Sequence, residues 1–596
     1  MTFTAPPVFT TRPQITGTFG AAASTHWSAT AAAQAILERG GNAFDAAVAG
    51  GFVLHLAEPH LNGPGGDLVG VFHAADADGP RVLMGQGPAP RAATIAHFRA
   101  EGLDLVPGAG GLAAAVPGAV DAWLVLLRDH GTLELSDVLD AARFHAREGI
   151  PLLPAAAAAI AKVAGLFRDH WPTSAQRWLR PDGTARAAGD LVPNPAYAAV
   201  LERLVDAASF AASEHATREQ RIDAARSAWR TELSAATAFL ARPHRHSSGT
   251  DHAAVLSDAD VAAFEAGYED AVTVDFRGHT IAKAGAWTQG PILLQALRML
   301  EAYDDALLDP SQPAGAHTIV ETLKLALADR DGHFGDGADP AALLADSYIA
   351  ERRRLVGESA SRDWRPGSPG GAVPFRPPLR SVRPAAAAGT GEPTVERTGA
   401  TRGDTCHIDV VDRWGNIIAV TPSGGWLQSS PTVPGLGFCL GTRVQAMWLD
   451  DAAPSALVPG HRPRTTLSPT LVLRGGAPVM ALGTPGGDQQ DQWQLPMLLR
   501  MLVGGYTAQQ AIDAPTLHTT ALVDSFWPRT WEPAGVVVED RLGTDVVDGL
   551  RARGHDVTVA GGWSLGRLCA VGIDRDTRTL WAAANPRGMS GYAAGR

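Results

Sequence analysis

Cysteine is scarce: three residues in 596, Cys406, Cys439 and Cys569, with no two in a CxxC pair. Three thiols cannot build a disulfide framework, and a reduced setting is expected. Basic charge is also in deficit, with 50 Lys and Arg against 62 Asp and Glu and a net charge of −12. No basic stripe interleaved with aromatics offsets that deficit, so a phosphate-backbone partner is not expected. No stretch approaches the ~18 uninterrupted apolar residues of a membrane span. The opening "MTFTAPPVFTTRPQITGTFG" lacks the basic-then-apolar pattern of a signal peptide. A cytoplasmic protein without a membrane partner is the expectation. A repeat of 20–50 residues is missing too, which argues against a solenoid or propeller.

What the chain does have is core material: 45% of it is hydrophobic and only 19% charged. "HWSATAAAQAILERGGNAFDAAVAGGFVLHLAEPH" reads as two alanine-rich helices, the first ended by Gly40-Gly41 and the second started by Asn42. Residues 112–240 are mostly helical in pattern, and "AVTVDFRGHTIAKAGA" reads as a hairpin turning at Arg277-Gly278. From 366 to 403 the composition turns to Pro, Gly and Ala, a poor core former that reads as a mobile segment. Strands follow in "CHIDVVDR", "NIIAVTP" and "TLVLRGGAPVMALGTPGG", then a helix and more strands. Strands flanked by helices from both halves predict one layered α/β (α+β) domain.

The segment "GATRGDTCHIDVVDRWGNIIAVTPSGGW" runs from a glycine-containing loop abruptly into strand alternation at Thr405. A hydroxyl nucleophile needs a base, and an N-terminal threonine carries one in its own α-amine, with a pKa near ~8. Exposing that amine requires a cut before Thr405. On this feature alone, a loop threonine opening an ordinary strand is the commoner arrangement, since threonine is frequent at strand starts. In "LGTPGGDQQDQW", Gly486 and Gly487 follow a strand and expose backbone N–H groups, which a tetrahedral oxyanion requires. "HRPRTTLSPTLVL" offers Thr465 and Thr466 for substrate.

Other features carry less. Cys406, directly after Thr405, reads as a packed core thiol, and His244, His246 and His252 fit no common zinc spacing. "DRDGHFGDGAD" lacks the ligand order of a calcium loop, and "NGPGGD" lacks the Lys-Ser/Thr of a phosphate loop. Asp67 reads as a turn cap.

Taken together and in order, these motifs resemble the γ-glutamyltransferase family of N-terminal-nucleophile hydrolases. The likeness runs from "ILERGGNAFDAAVA" and "EPHLNGPGGD" through "VPGAVDAW", "KLALADR" and "GDTCHIDVVDRWGNIIAVT" to "PGHRPRTTLSPTLVL", "GTPGGD" and "NPRGMSGYAAGR". It implies a four-layer αββα sandwich and self-cleavage between Asp404 and Thr405. The products would be a large subunit, 1–404, and a small subunit, 405–596, held together as a heterodimer. It implies Thr405 as nucleophile, Thr421 as the threonine that hydrogen-bonds it, and Gly486 and Gly487 as the oxyanion hole. Substrate contacts would come from Asp451, with Asp450 adjacent, and from Thr465, Thr466, Ser423 and Trp448. No metal and no organic cofactor are implied; the partner is a small amide or γ-glutamyl-type substrate.

Three departures bear on that substrate. Where the family has a carboxylate-gripping arginine, this chain has Gln86 or Gly85, with Arg91 nearby; Gly425 stands for a substrate-binding Asn, and Trp448 for a Gln. The segment "APSALVPG" is short for the family's lid, which predicts hydrolysis over transfer. Trp426 and Phe438 are expected to line the pocket. A retasked acylase, an oxamate-type amidohydrolase or a C–C-cleaving hydrolase are alternatives within the enzymes. An uncleaved, non-catalytic binding protein is the alternative outside them.

Overall fold

The computed structural model describes residues 3–213, 215–381, 394–395, 401–402 and 405–596. Small and β-branched runs form the strands β1 (Ile15–Gly17), β2 (Gly20–Ser24), β3 (Asp67–His73), β4 (Arg81–Gly85), β5 (Gly267–Asp270), β6 (Val272–Phe276) and β7 (His279–Lys283). In the later part lie β8 (Ile408–Asp412), β9 (Ile417–Ser423), β10 (Thr470–Arg474), β11 (Ala477–Gly483), β12 (Cys569–Asp574), β13 (Thr579–Ala584) and β14 (Tyr592–Gly595). They make two seven-stranded sheets, ordered β14-β2-β8-β9-β3-β4-β5 and β1-β13-β12-β11-β10-β7-β6. Every neighbouring pair for which a register is defined in these sheets is antiparallel.

Side chains alternate across each strand, and both faces of both sheets are covered. Val69, Val71 and Ala419 of the first sheet meet Leu471, Ala481 and Val571 of the second in the central layer. The outer face of the first sheet, with Phe72, Ile408 and Val410, packs on helices α1 (Trp27–Glu38), α2 (Ala43–Ala57) and α3 (Ala119–His130). The outer face of the second, with Ile281, Val472 and Leu482, packs on α4 (Pro291–Leu300), α5 (Pro313–His333) and α6 (Gln490–Leu502). The layers are therefore helix, sheet, sheet, helix, as the resemblance implies.

Asn42 starts α2 as expected: its side chain accepts from the N–H groups of Phe44 and Asp45, and Asp45 reciprocates, forming a capping box. All fifteen residues of α2 are buried, so this helix is held by packing rather than by amphipathic exposure, each large side chain contributing about 1.5–3 kcal/mol. Its Gly50 lets the helix lie close on β8, because a Cβ there would come within 2.3 Å of Ile408 Cδ1. The β6–β7 hairpin turns at Arg277-Gly278 with φ of 48° and 76°, the left-handed pair that matches strand twist.

The expectation of mobility from residue 366 needs correction for its first part. The Gly367 and Phe375 N–H groups bond Asp329 and the Gly332 carbonyl at 2.7 and 3.1 Å, and Phe375 is buried against Trp448. An extended, proline-rich stretch can be fixed this way, because its unpaired backbone groups find partners on a neighbouring helix. Farther on, Thr394–Val395 pairs with Thr401–Arg402; Asp404 and the rest of 382–403 lie outside the described residues. Stretches before and after that segment contribute strands to both sheets. Among the described residues no helix is long and apolar enough to cross a membrane.

Candidate active site

Thr405 sits at the entry to β8, buried, in an antiparallel bridge with Ser423. Its Oγ1 donates to Ser423 Oγ at 3.3 Å, and the Cys406 N–H bonds the Pro422 carbonyl at 2.9 Å. Alternation turns Cys406 to the helix-covered face, where Asn62 Nδ2 lies 3.0 Å from its sulfur. Burial, then the charge of Glu58, raises that thiol well above its usual range, so it is no thiolate nucleophile.

Register decides what meets what. Ile408 opposes Val420, so continuing the ladder outward places Thr421 opposite His407 and Ser423 opposite Thr405. Thr421 accordingly shares a 2.9 Å bond with His407 Nδ1, whereas the family resemblance assigns it to the nucleophile's hydroxyl; the bond from Thr405 to Ser423 lies two pairs along. The other ring nitrogen of His407 lies 2.8 Å from Asp409 Oδ1. The ring is packed under Gly483, where a Cβ would stand 2.2 Å from Cε1. Sequence reasoning missed this Thr421–His407–Asp409 row; its one signal is a His and an Asp at period two in an otherwise apolar strand.

Burial raises the Asp409 carboxyl to about 6, against the opposing effect of His407. An acid raised in the folded state binds more protons there than unfolded, so its contribution to stability is present at low pH and falls as pH rises from about 3.8 to about 6. An Asp409→Asn chain should lose that slope. Thermal midpoints of both proteins measured across this window check it, and parallel curves would refute the assignment.

Gly486 and Gly487 follow β11 with φ of 137° and 52°. The Gly487 carbonyl accepts from Gln289 Nε2 at 3.0 Å, and Gln289 Oε1 is buried without a partner among the described residues. Thr465 donates its N–H to the Trp287 carbonyl, 2.9 Å, and Thr466 Oγ1 is buried with no acceptor or donor among the described residues. Trp448 is buried beneath the Arg529 guanidinium, 3.9 Å above its ring. Asp451 lies at an exposed turn, where Asp450 accepts from the Ala452 N–H. Gln86 is buried just past β4; its Nε2 turns to the adjacent Gly87 carbonyl and its Oε1 finds no partner among the described residues. It lines a cavity of about 380 Å³ with Arg91, Asp260, Asp336 and Arg462.

Asp67 does more than cap a turn. It receives both Nε and Nη2 of Arg443 at 2.6 and 2.9 Å, and both side chains are buried. Asp67 is the β3 partner of Ser423, so this pair braces the strand end that faces Thr405. Leaving either charge alone there would cost about 3–5 kcal/mol.

Two facing antiparallel sheets between helical layers, with a buried hydroxyl at the entry to a central strand, define an N-terminal-nucleophile hydrolase fold. The chain belongs to the gamma-glutamyltranspeptidase family, whose model matches residues 29–595. It is similar to the glutathione hydrolase-like YwrD proenzyme of Bacillus subtilis (strain 168), 29% identical over 98% of this chain and 99% of that one. It is likewise similar to the acylase ACY 1 proenzyme of Pseudomonas sp. (strain SE83), 28% identical over 92% of this chain and 89% of that one. Among solved structures, LmbA2991HD superposes with a TM-score of 0.92 at 49% identity, over 99% of this chain and all of that chain.

Proposed function

We propose that this protein cuts itself between Asp404 and Thr405 and then hydrolyses an amide through an acyl-enzyme on Thr405. The observation that carries the reading is the place of Thr405: buried at the entry to β8, with its hydroxyl bonded across to Ser423. In the first cut, Thr405 Oγ attacks the Asp404 carbonyl and displaces the Thr405 nitrogen, which takes up the hydroxyl proton and leaves as the free α-amine; water then hydrolyses the ester, releasing the Asp404 carboxylic acid and restoring the Thr405 hydroxyl. In turnover, that amine takes the hydroxyl proton as Oγ attacks the substrate carbonyl, then passes it to the leaving amine. Water resolves the resulting ester. The N–H groups of Gly486 and Gly487 are the donors for the oxyanion, and Ser423, Trp448, Asp451, Thr465 and Thr466 are the substrate contacts.

The fragments 1–404 and 405–596 stay together because each supplies strands to both sheets. Cytoplasm is the location this reading assumes. Gln86 is neutral where the family resemblance puts a cation for a free glutamyl head, so the acyl group is either different from glutamate or read through different contacts. The acylase among the relatives favours a retasked acylase as the second reading.

Intact-mass measurement on the purified chain tests the first step: two species are expected, the smaller beginning at Thr405. A single persistent chain would leave the binding-protein alternative. Trp448 pairs with Ala456 across a short turn, and this reading takes that turn in place of the family's longer lid, which favours water over a second acceptor. Adding glycylglycine as acceptor should therefore change donor consumption less than about twofold. Strong acceleration would overturn the preference for hydrolysis.

A further inference from the structure

Two neighbouring arginines carry charge that no acid beside them balances. Arg177 lies in the last turn of the short helix Pro172–Trp178, and Arg186 is near enough to repel it. Among the described residues neither enters an ion pair, and Asp190, the acid within the field of Arg186, is held by Arg180 at 2.7 Å. Burial, then repulsion from Arg186, pushes Arg177 down to about 10, still charged at neutral pH. Its guanidinium lies 4.4 Å over the Trp178 ring, and its Nε is buried without an acceptor among the described residues.

Arg177 and Trp178 line a cavity of about 20 Å³ with His55, Asn62, Phe438 and Cys439. That is room for one particle of about the size of a water molecule. Three buried donors of these residues have no acceptor among the described residues: Arg177 Nε, Trp178 Nε1 and His55 Nε2. Tyr197 settles the tautomer of His55. Its buried hydroxyl has His55 Nδ1, 3.1 Å away, as its one partner among the described residues, so it donates there. Burial lowers His55 to about 3, so the ring is neutral and its single proton sits on Nε2.

The remaining polar groups add no counter-charge. Burial raises the Cys439 thiol to about 12, so it stays protonated. Asn62 Nδ2 turns to the Leu54 carbonyl, 2.9 Å, and the Cys406 sulfur, 3.0 Å, which leaves Asn62 Oδ1 as a lone unmet acceptor. A water molecule would suit Asn62 and two of the donors, but it would leave the guanidinium unbalanced, and an unpaired buried charge is costly. An anion of similar size meets three donors and the charge together, against that single acceptor.

We propose that Arg177, Trp178 and His55 hold one halide ion in this cavity, with chloride as the natural occupant. The ion would tie the Pro172–Trp178 helix to the turn 425–439, which leaves β9 just past Ser423. Through Asn62 the site borders Cys406, on the helix-covered face of β8 and not on the Thr405 face. It does not depend on the amidohydrolase reading.

Thermal midpoints of the purified full chain, with chloride replacing gluconate at constant ionic strength, test it. Gluconate is too large for the cavity, so the midpoint should rise with chloride and saturate. Arg177→Gln removes a charge-assisted bond and should raise the half-saturating concentration about tenfold or more. Trp178→Phe keeps a ring, loses the N–H, and should raise it less. Crystals soaked in bromide should show an anomalous peak within hydrogen-bond reach of Arg177 Nε and Trp178 Nε1. If Arg177→Gln does not fold, that peak and the Trp178→Phe titration decide. A midpoint indifferent to chloride, a rise unchanged in folded Arg177→Gln, or a bromide-soaked crystal with only water in the cavity would overturn the proposal.

Discussion

Replacing Thr405 by Ala should leave one uncut chain of 62.2 kDa and remove turnover. Alanine has no Oγ, so neither the ester that opens Asp404–Thr405 nor the acyl-enzyme can form. The expected fall is at least about 10⁴-fold, of the size seen when a nucleophile that acts as a unit with its base is removed. Thr405→Ser keeps a hydroxyl opposite Ser423 and should still process, more slowly, because a serine lacks the methyl group that fixes χ1 at this buried position. Gel analysis and intact mass read the cut; release of amine from a donor reads turnover. Complete cutting in Thr405→Ala would remove Thr405 from the mechanism.

Gly486→Ala should lower kcat about 10²–10³-fold, the loss expected for one oxyanion donor. A methyl at Gly486 would stand 2.2 Å from Trp493 Cζ3 and would occupy a φ of 137° that L side chains rarely adopt. Trp493 is buried against Val537 and Leu565, so its ring has little room to retreat and the backbone must turn instead. That turn re-aims the N–H groups of the Gly486-Gly487 pair, which is why kcat should fall more than KM rises. Gly267→Ala is the control: its Cβ meets nothing within 4 Å and its φ is ordinary, so kcat should change less than about twofold. A Gly486→Ala protein that is folded and fully active would show that these glycines serve only to turn the chain.

The fold and the site were legible to different degrees, for physical reasons. Local chemistry wrote the helix starts and the hairpin: Asn42 caps α2, and Arg277-Gly278 turns β6 into β7. The alternation of "CHIDVV" showed that Thr405 and Cys406 face opposite sides, because the strand period is two. What alternation cannot give is register, since one strand carries no information on which residue of another stands opposite. Hence Thr421 was linked to the nucleophile, whereas the β8–β9 ladder sets it against His407 and sets Ser423 against Thr405. Asp67 and Arg443 are 376 residues apart, a pairing no local pattern reveals. The extended 366–381 stretch was read as mobile because its composition cannot build a core, yet the end of α5 supplies its backbone partners.

By itself the sequence determined the layered class, the family and the short polar stretches where chemistry belongs, because these depend on residue type and local order. Tertiary structure alone decided which hydroxyl meets Thr405, which histidine holds Thr421, and that Asp67 is buried against Arg443. Those outcomes depend on contacts between distant segments, and a buried charge has an energetic meaning only once its partners have been counted in space.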